Sequence, residues 1–166
     1  MEKTFTATIW VLGDDIDTDI ILPTQYLALE HVEDMKPYAF SPLREDLAGK
    51  IQKGDMIVAG KNFGCGSSRE QAPEVMKALG ISCVVAKSFA RIFYRNAINN
   101  GMLLLENDKL YDQVTEGDRA TVTLGEKIEY KGKTYEISSL PTNLMEILEA
   151  GGLVAAMQKK NGKKVE

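Results

Sequence analysis

The part of the chain that most constrains the fold is a glycine-rich segment, Gly60-Lys61-Asn62-Phe63-Gly64-Cys65-Gly66-Ser67-Ser68-Arg69-Glu70. An apolar run at residues 56–59 precedes it and a plausible helix at residues 72–79 follows it. This order predicts a strand, a glycine-rich loop and a helix. Three glycines in seven residues let the backbone approach a ligand with its N–H groups. Arg69 adds two parallel donors suited to a carboxylate. We therefore predict an anion site with a serine hydroxyl available for proton transfer.

The start of the following helix has two possible positions in the sequence. Ser67 and Glu70 fit a capping box, in which Ser67 is the N-cap and Glu70 bonds back to it. Alternatively, the regular helix begins near Pro73, which suits the first position of a helix. The segment is not a P-loop, since it ends in Gly-Ser-Ser-Arg, and not a dinucleotide loop, since Arg69 stands where a third glycine is required.

The rest of the sequence predicts one α/β domain spanning residues 1–166. Strands are expected at residues 5–12, 81–86 and 102–105, and a helix capped by Ser88 at residues 89–99. The alternation of strand and helix from residue 56 to residue 105 predicts a parallel α/β unit. Hairpin signals at residues 120–137 add antiparallel strands. Short helices are expected at residues 144–150 and 153–159, and a long loop with a short helical piece at residues 24–42.

Two faces of the predicted helix at residues 89–99 carry different chemistry. Its apolar face is predicted to contain Phe89, Ile92, Phe93 and Ala97. Arg91 and Arg95 share another face, which is either solvated or turned toward the same anion as Arg69.

No catalytic role is predicted for the acidic residues, the cysteines or the single histidine. The four aspartates of residues 14–19 lack the glycine and glutamate of a calcium loop, so they are expected to bond local backbone in a turn. Cys83 lies in an apolar run and is predicted to be core, whereas Cys65 lies in the glycine-rich segment. His31 is interpreted as a bystander.

Composition excludes several classes of protein. The net charge is -4 and the only basic block is the C-terminal segment 159–164, so a nucleic-acid-binding role is not expected. No apolar run approaches the ~18 residues of a membrane span. The first residues show no apolar signal core and the chain has two cysteines, which favours a cytoplasmic protein.

Three motifs resemble the aconitase superfamily. They are Gly13-Asp14-Asp15-Ile16-Asp17-Thr18-Asp19, the glycine-rich segment, and Ala86-Lys87-Ser88-Phe89-Ala90-Arg91-Ile92. Over nearly its full length the chain more closely resembles the family of 3-isopropylmalate dehydratase small subunits. That resemblance implies a swivelling domain of β/β/α type, made as a separate chain.

The resemblance also implies a reaction and a partner. The family isomerises 2-isopropylmalate and 3-isopropylmalate by dehydration and rehydration, in leucine biosynthesis, with a 4Fe–4S cluster acting as Lewis acid. Such a cluster needs three cysteine ligands, and this chain has two cysteines. We therefore expect no metal or cofactor in this chain, a cluster-bearing large subunit as partner, and activity as a hydro-lyase only in that assembly.

Roles carry over to individual residues by the same resemblance. Ser67 matches the catalytic serine, whose alkoxide takes a proton from the substrate carbon and later returns it. Ser68 matches a serine that helps hold a substrate carboxylate, and Arg69 matches the arginine that binds it. Cys65 stands at a position without a fixed role.

Substrate choice is predicted to lie at Ala28 and Leu29. In related small subunits that act on homocitrate-like triacids, an arginine stands where Ala28 does. An apolar pair cannot compensate a buried carboxylate, but it can accept an isopropyl group. Methylmalate, dimethylmalate and homoaconitase-type substrates stay open as alternatives, and so does a non-catalytic anion-binding module.

Overall fold

The computed structural model describes residues 4–137 and 142–150, and its strands form one sheet. They are β1 Thr4–Val11, β2 Met56–Ala59, β3 Cys83–Ala86, β4 Leu104–Glu106, β5 Arg119–Thr123, β6 Lys127–Tyr130 and β7 Lys133–Glu136. The order across the sheet is β4-β3-β2-β1-β5-β6-β7. Strands β1 to β4 are parallel, and β5 to β7 continue the sheet antiparallel. The predicted parallel unit and the added antiparallel hairpins are therefore confirmed.

Strand β1 joins the two kinds of pairing. Its first half, from Thr4 to Thr8, pairs antiparallel with β5, and its second half, from Ile9 to Val11, pairs parallel with β2. Every residue of β2 and β3 is buried, as expected for strands covered on both faces. Strands β5 and β6 alternate between buried and accessible residues, which indicates one covered face.

The helices are short, and they lie mainly in the connections between strands. They are α1 Thr18–Ile21, α2 Val32–Met35, α3 Leu47–Lys50, α4 Gln71–Ala78, α5 Arg91–Asn99, α6 Leu110–Gln113 and α7 Thr142–Ala150, with 3-10 turns at Thr24–Ala28 and Lys36–Tyr38. Helix α4 contacts α2 and α5, and α5 contacts α7. No helix in the part of the chain that the structure describes is long and apolar enough to cross a membrane.

Two local predictions are wrong, and one of the two alternatives for the start of α4 is excluded. Helix α4 begins at Gln71 with Glu70 as an N-cap that makes no side-chain bond, so the capping box does not form. Helix α5 begins at Arg91, and the Ser88 hydroxyl accepts a bond from the Asn62 N–H, 2.9 Å away, and caps no helix. Ile92, placed on the apolar face, is 65% exposed. The helix predicted at residues 153–159 lies outside the described residues.

The segment from residue 24 to residue 42 packs more closely than a free loop. Met35, Ala39 and Phe40 are buried in the core, and the rings of Tyr26 and Tyr38 stack with centroids 3.9 Å apart. Its first half stays accessible, because the 3-10 turn Thr24–Ala28 contains no buried residue. The accessible half follows directly from α1, and this brings it beside the candidate site.

Candidate active site

Three loops meet at one edge of the sheet. They follow β1, β2 and β3, which are parallel neighbours, so their carboxyl ends lie at the same edge. The loops are residues 12–17, 60–70 and 87–90. Ligand sites of α/β proteins form at this edge because loops, rather than paired strands, point into solvent there.

The first two loops are tied together through their backbones. The Lys61 N–H donates to Asp14 Oδ1 at 2.7 Å, and the Gly64 N–H donates to the Ile16 carbonyl at 2.7 Å. Asp17 accepts a bond from the Ile20 N–H and so caps α1. The predicted bonding to local backbone is therefore confirmed for Asp17 alone, since Asp15 accepts from the Asn62 side chain and Asp19 pairs with Arg69. Among the residues that the structure describes, no group of three or more His, Cys, Asp or Glu side chains could hold a metal ion.

The third loop supports the glycine-rich segment from the other side. The Phe63 N–H donates to the Ser88 carbonyl and the Ala90 N–H donates to the Phe63 carbonyl, at 3.1 and 3.0 Å. The Phe63 ring is fully buried and meets the rings of Phe89 and Phe93 edge-on. An aromatic anchor thus fixes the middle of the loop while both of its ends carry polar groups.

Glycine is required at two points of this loop. Gly64 has φ of +85°, and a Cβ built there would lie 2.1 Å from Cγ of Phe93. A Cβ at Gly60 would lie 1.8 Å from Oδ1 of Asp14. Both distances are far below van der Waals contact, so these glycines let neighbouring loops approach closely.

A cavity of about 270 Å³ opens between the glycine-rich loop and α5. Thr18, Ser68, Arg69, Arg91 and Asn96 supply its polar lining. Ser67 is exposed and lies between Gly66 and Ser68, which both line this cavity. The predicted serine pair and the predicted arginine are therefore brought together at one cavity.

Arg69 is held by the segment upstream of it. Its Nη1 donates to the Leu22 carbonyl at 3.0 Å, its Nη2 donates to Thr24 Oγ1 at 3.3 Å, and Nη2 also pairs with Asp19. Only 11% of the Arg69 side chain is exposed. Protein groups therefore fix the guanidinium at the cavity wall, and the carboxylate-binding role predicted for Arg69 stays a prediction.

Ala28 and Leu29 lie apart from this cavity. Both are exposed at the end of the 3-10 turn Thr24–Ala28, and neither lines the cavity. Thr24, at the start of the same turn, bonds to Arg69. The structure therefore connects the predicted specificity residues to the site through Thr24 but does not place them in it.

Comparisons with known proteins identify the family of this chain. The model of the aconitase C-terminal domain matches residues 15–110. The 3-isopropylmalate dehydratase small subunit of Lachnospira eligens is 70% identical over 98% of this chain and 99% of its own length. The chain belongs to the 3-isopropylmalate dehydratase small-subunit family. The predicted resemblance is confirmed.

Further relatives agree with the family and the fold. The isopropylmalate/citramalate isomerase small subunit of Methanocaldococcus jannaschii is 46% identical over 96% of this chain and 97% of its own length. A crystal structure of 3-isopropylmalate dehydratase from Methanocaldococcus jannaschii superposes with a TM-score of 0.89 at 41% identity, over 95% of each chain. The mixed α/β fold of the aconitase type, predicted from the motifs, is confirmed.

Sequence reasoning passed over two polar side chains of the cavity. Thr18 and Asn96 both line the cavity, and the Asn96 side-chain N–H donates to Ser68 Oγ at 2.9 Å. Arg91 lines it too and Arg95 does not, but both side chains are exposed, so the two interpretations left open for this pair stay predictions. The available signal was position, since Thr18 lies in the first aconitase-like motif and Asn96 lies five residues beyond Arg91 on the same helix.

The cysteines do not fit an iron–sulfur cluster. Cys83 is fully buried within β3, where burial raises the pKa of its thiol to about 12. Burial, together with the negative charges of Asp17 and Asp15, raises the pKa of the Cys65 thiol. Such a cluster takes three cysteine ligands, and this chain has two cysteines, one of them in a strand core.

The same pKa shift predicts slow alkylation of Cys65. Iodoacetamide reacts with the thiolate form of cysteine. A raised pKa therefore leaves less thiolate at about pH 8, and the alkylation rate rises only at higher pH. We expect the folded chain to react more slowly at this pH than the urea-unfolded chain, with labelling abolished in folded Cys65→Ser. A faster reaction of the folded chain would contradict the raised pKa.

Proposed function

We propose that this chain is the small subunit of a two-subunit hydro-lyase that interconverts 2-isopropylmalate and 3-isopropylmalate by dehydration and rehydration, in leucine biosynthesis. The 70% identity to the Lachnospira eligens small subunit over 98% of the chain carries the proposal. The geometry supports it, because Ser68 and a fixed Arg69 line one cavity of about 270 Å³ and Ser67 is exposed next to Ser68.

In this reaction Ser67 would be the proton acceptor. Its side chain is exposed beside the cavity, so a substrate carbon can approach the hydroxyl without displacing protein atoms. A serine is a weak acid, and the positive charges of Arg69 and Arg91, which both line the cavity, stabilise its alkoxide electrostatically. The proton removed from the substrate carbon stays on Ser67 until rehydration returns it to the neighbouring carbon.

Ser68, Arg69 and Arg91 would hold the carboxylates. Asn96 donates to Ser68 Oγ at 2.9 Å, so the Ser68 O–H is left to donate to an acceptor in the cavity. Arg69 is oriented by Leu22, Thr24 and Asp19, and a positioned cation binds an anion at lower entropic cost than a mobile one. The substrate is thereby oriented toward Ser67.

The rest of the active site would belong to a large subunit. The reaction requires a Lewis acid for the hydroxyl, and the two cysteines of this chain are one fewer than the three ligands of the 4Fe–4S cluster of the superfamily. We place that cluster on the partner, and we expect residues 1–166 to act as one domain of a cytoplasmic complex.

A substrate panel tests the proposal. The chain is mixed with its cluster-loaded large subunit, and the unsaturated intermediate is followed by ultraviolet absorbance with 2-isopropylmalate, 2-methylmalate and homocitrate. We expect the highest kcat/KM with 2-isopropylmalate. Turnover of homocitrate alone would contradict the leucine-pathway assignment.

The second candidate substrate is 2-methylmalate, also called citramalate. It is favoured by one observation, the name of the 46% identical Methanocaldococcus jannaschii relative, an isopropylmalate/citramalate isomerase small subunit. In the panel, this candidate predicts turnover of 2-methylmalate within about tenfold of the 2-isopropylmalate rate, an energy difference of roughly 1.4 kcal/mol.

Introducing a positive charge at Ala28 should shift substrate choice. Ala28 lies outside the cavity of this chain, and we propose that it contacts the substrate in the assembled enzyme. In Ala28→Arg, the isopropyl group then loses its apolar neighbour, whose burial is worth roughly 1.5–3 kcal/mol, so kcat/KM for 2-isopropylmalate should fall about tenfold or more. Homocitrate should gain turnover. The control Gln25→Arg adds the same charge to the same exposed turn and should change the preference little. Equal effects of the two variants would show that Ala28 does not select substrate.

Shortening the arginine should weaken binding. In Arg69→Lys, a single ammonium cannot bond Leu22 and Thr24 while also facing the cavity. Loss of one charged hydrogen bond, about 1.5–3 kcal/mol, predicts a KM raised tenfold or more. The control Arg95→Lys alters an exposed arginine outside the cavity and should leave KM unchanged. An unchanged KM in Arg69→Lys would remove Arg69 from carboxylate binding.

A further inference from the structure

Two polar side chains are buried in the described core, and one of them belongs to the cavity. They are Asp55, 8% exposed, and Thr18, 2% exposed. Asp55 lies at the amino end of β2, where it accepts bonds from the Trp10 indole and the Gln52 N–H, both at 2.8 Å. That role is structural. Thr18 lies at the opposite end of the parallel strands and lines the cavity.

Thr18 bonds to the glycine-rich loop on both sides of Gly66. Its N–H donates to the Cys65 carbonyl at 2.9 Å, and its Oγ1 hydroxyl donates to the Ser67 carbonyl at 2.7 Å. Gly66 has φ of +92° and no side chain of its own to fix the backbone. The turn that carries the two serines is therefore fixed from outside, by a residue almost fifty positions earlier in the chain.

The bond to the Ser67 carbonyl orients both serines together. A peptide unit is planar, so the Ser67 carbonyl, the Ser68 N–H and the two Cα atoms lie in one plane. Fixing the carbonyl fixes that plane, and with it the directions in which both side chains leave the backbone. Small displacements matter in such a site, because a misplacement of about 1 Å can cost about 100-fold in rate.

We propose that Thr18 is a positioning residue for the Ser67–Ser68 pair, acting through its buried hydroxyl. The proposal rests on the proposed function, since it assumes that Ser67 is the proton acceptor. It assigns the hydroxyl rather than the size of Thr18, because an unpaired buried carbonyl would turn toward another donor and rotate the peptide. Thr18 bonds to backbone carbonyl groups of the loop, and its role is separate from proton transfer itself.

Two matched pairs of variants separate the hydroxyl from the size of the side chain. Thr18→Val keeps the shape of threonine and removes the donor. Thr18→Ala and Thr18→Ser both remove the methyl group, and only the second keeps the donor. Each is assembled with the large subunit, and kcat and KM for 2-isopropylmalate are measured beside the thermal unfolding midpoint.

The proposal predicts a split between the kinetic constants. Thr18→Val should lower kcat about tenfold or more, with a smaller change in KM, and Thr18→Ser should retain kcat within about threefold of wild type. If Thr18→Val does not assemble, kcat of Thr18→Ser should still exceed that of Thr18→Ala about tenfold. Equal kcat within either matched pair, whatever the unfolding midpoints, would overturn the proposal. A wild-type complex inactive on every alkylmalate would instead refute the proposed function.

Discussion

Replacing Ser67 with alanine should lower kcat of the assembled enzyme about 100- to 10,000-fold, the range that a general base contributes, with KM near its wild-type value. The variant removes the proposed proton acceptor and leaves Ser68, Arg69 and Arg91, the groups proposed to hold the carboxylates, at the cavity wall. Steady-state kinetics with 2-isopropylmalate measure the effect. Formation of the unsaturated intermediate, followed by ultraviolet absorbance, should fall in parallel.

A matched control lies two residues away. Cys65 is on the same loop and half-buried, and its raised pKa keeps the thiol protonated. Cys65→Ser should therefore retain kcat within about twofold of wild type, since it changes one side-chain atom and keeps the backbone carbonyl that Thr18 bonds. A kcat for Ser67→Ala as high as that of Cys65→Ser would exclude Ser67 as the proton acceptor.

Gly64→Ala should be the most damaging single methyl group in the loop. Two costs combine there, a left-handed backbone at φ of +85° and a Cβ that would lie 2.1 Å from the Phe93 ring. The conformational cost for a residue with a Cβ is roughly 1–2 kcal/mol, and the overpacking adds about 1–3 kcal/mol. We expect a loss of about 2–5 kcal/mol in the free energy of unfolding, measured by urea denaturation of the isolated chain.

Variants at two other glycines are the controls for these two costs. Gly117 has φ of +94° and open space around its Cβ position, so Gly117→Ala carries the backbone cost of about 1–2 kcal/mol alone. Gly49 lies in α3 with open space and an ordinary φ, so Gly49→Ala should stabilise the chain by about 0.5–1 kcal/mol. If Gly64→Ala cost no more than Gly117→Ala, the close approach of the loop to Phe93 would be disproved.

Local sequence signals were sufficient for the sheet and for the loop. The apolar run at residues 56–59 became β2 with the predicted bounds, and the glycine spacing that follows it gave the predicted turn. These features depend on neighbouring residues, which the sequence displays directly. The hairpins of β5, β6 and β7 were predictable for the same reason.

Contacts between distant residues decided what the sequence could not show. The capping box fails because the Ser67 carbonyl bonds to Thr18 and the helix begins only at Gln71. Ile92 fits an apolar periodicity, yet α5 begins at Arg91 and leaves Ile92 65% exposed. Arg69 was predicted as an anion clamp from its own segment, whereas its orientation comes from upstream residues, among them Asp19.

The central claim is that this chain contributes part of an active site and that a large subunit contributes the rest. Its most direct test is a titration of cluster-loaded large subunit with this chain, assayed with 2-isopropylmalate. The account predicts no turnover by either protein alone, and activity that rises with added chain until the two are in stoichiometric proportion. Turnover of 2-isopropylmalate by the large subunit alone, unchanged by adding this chain, would contradict it.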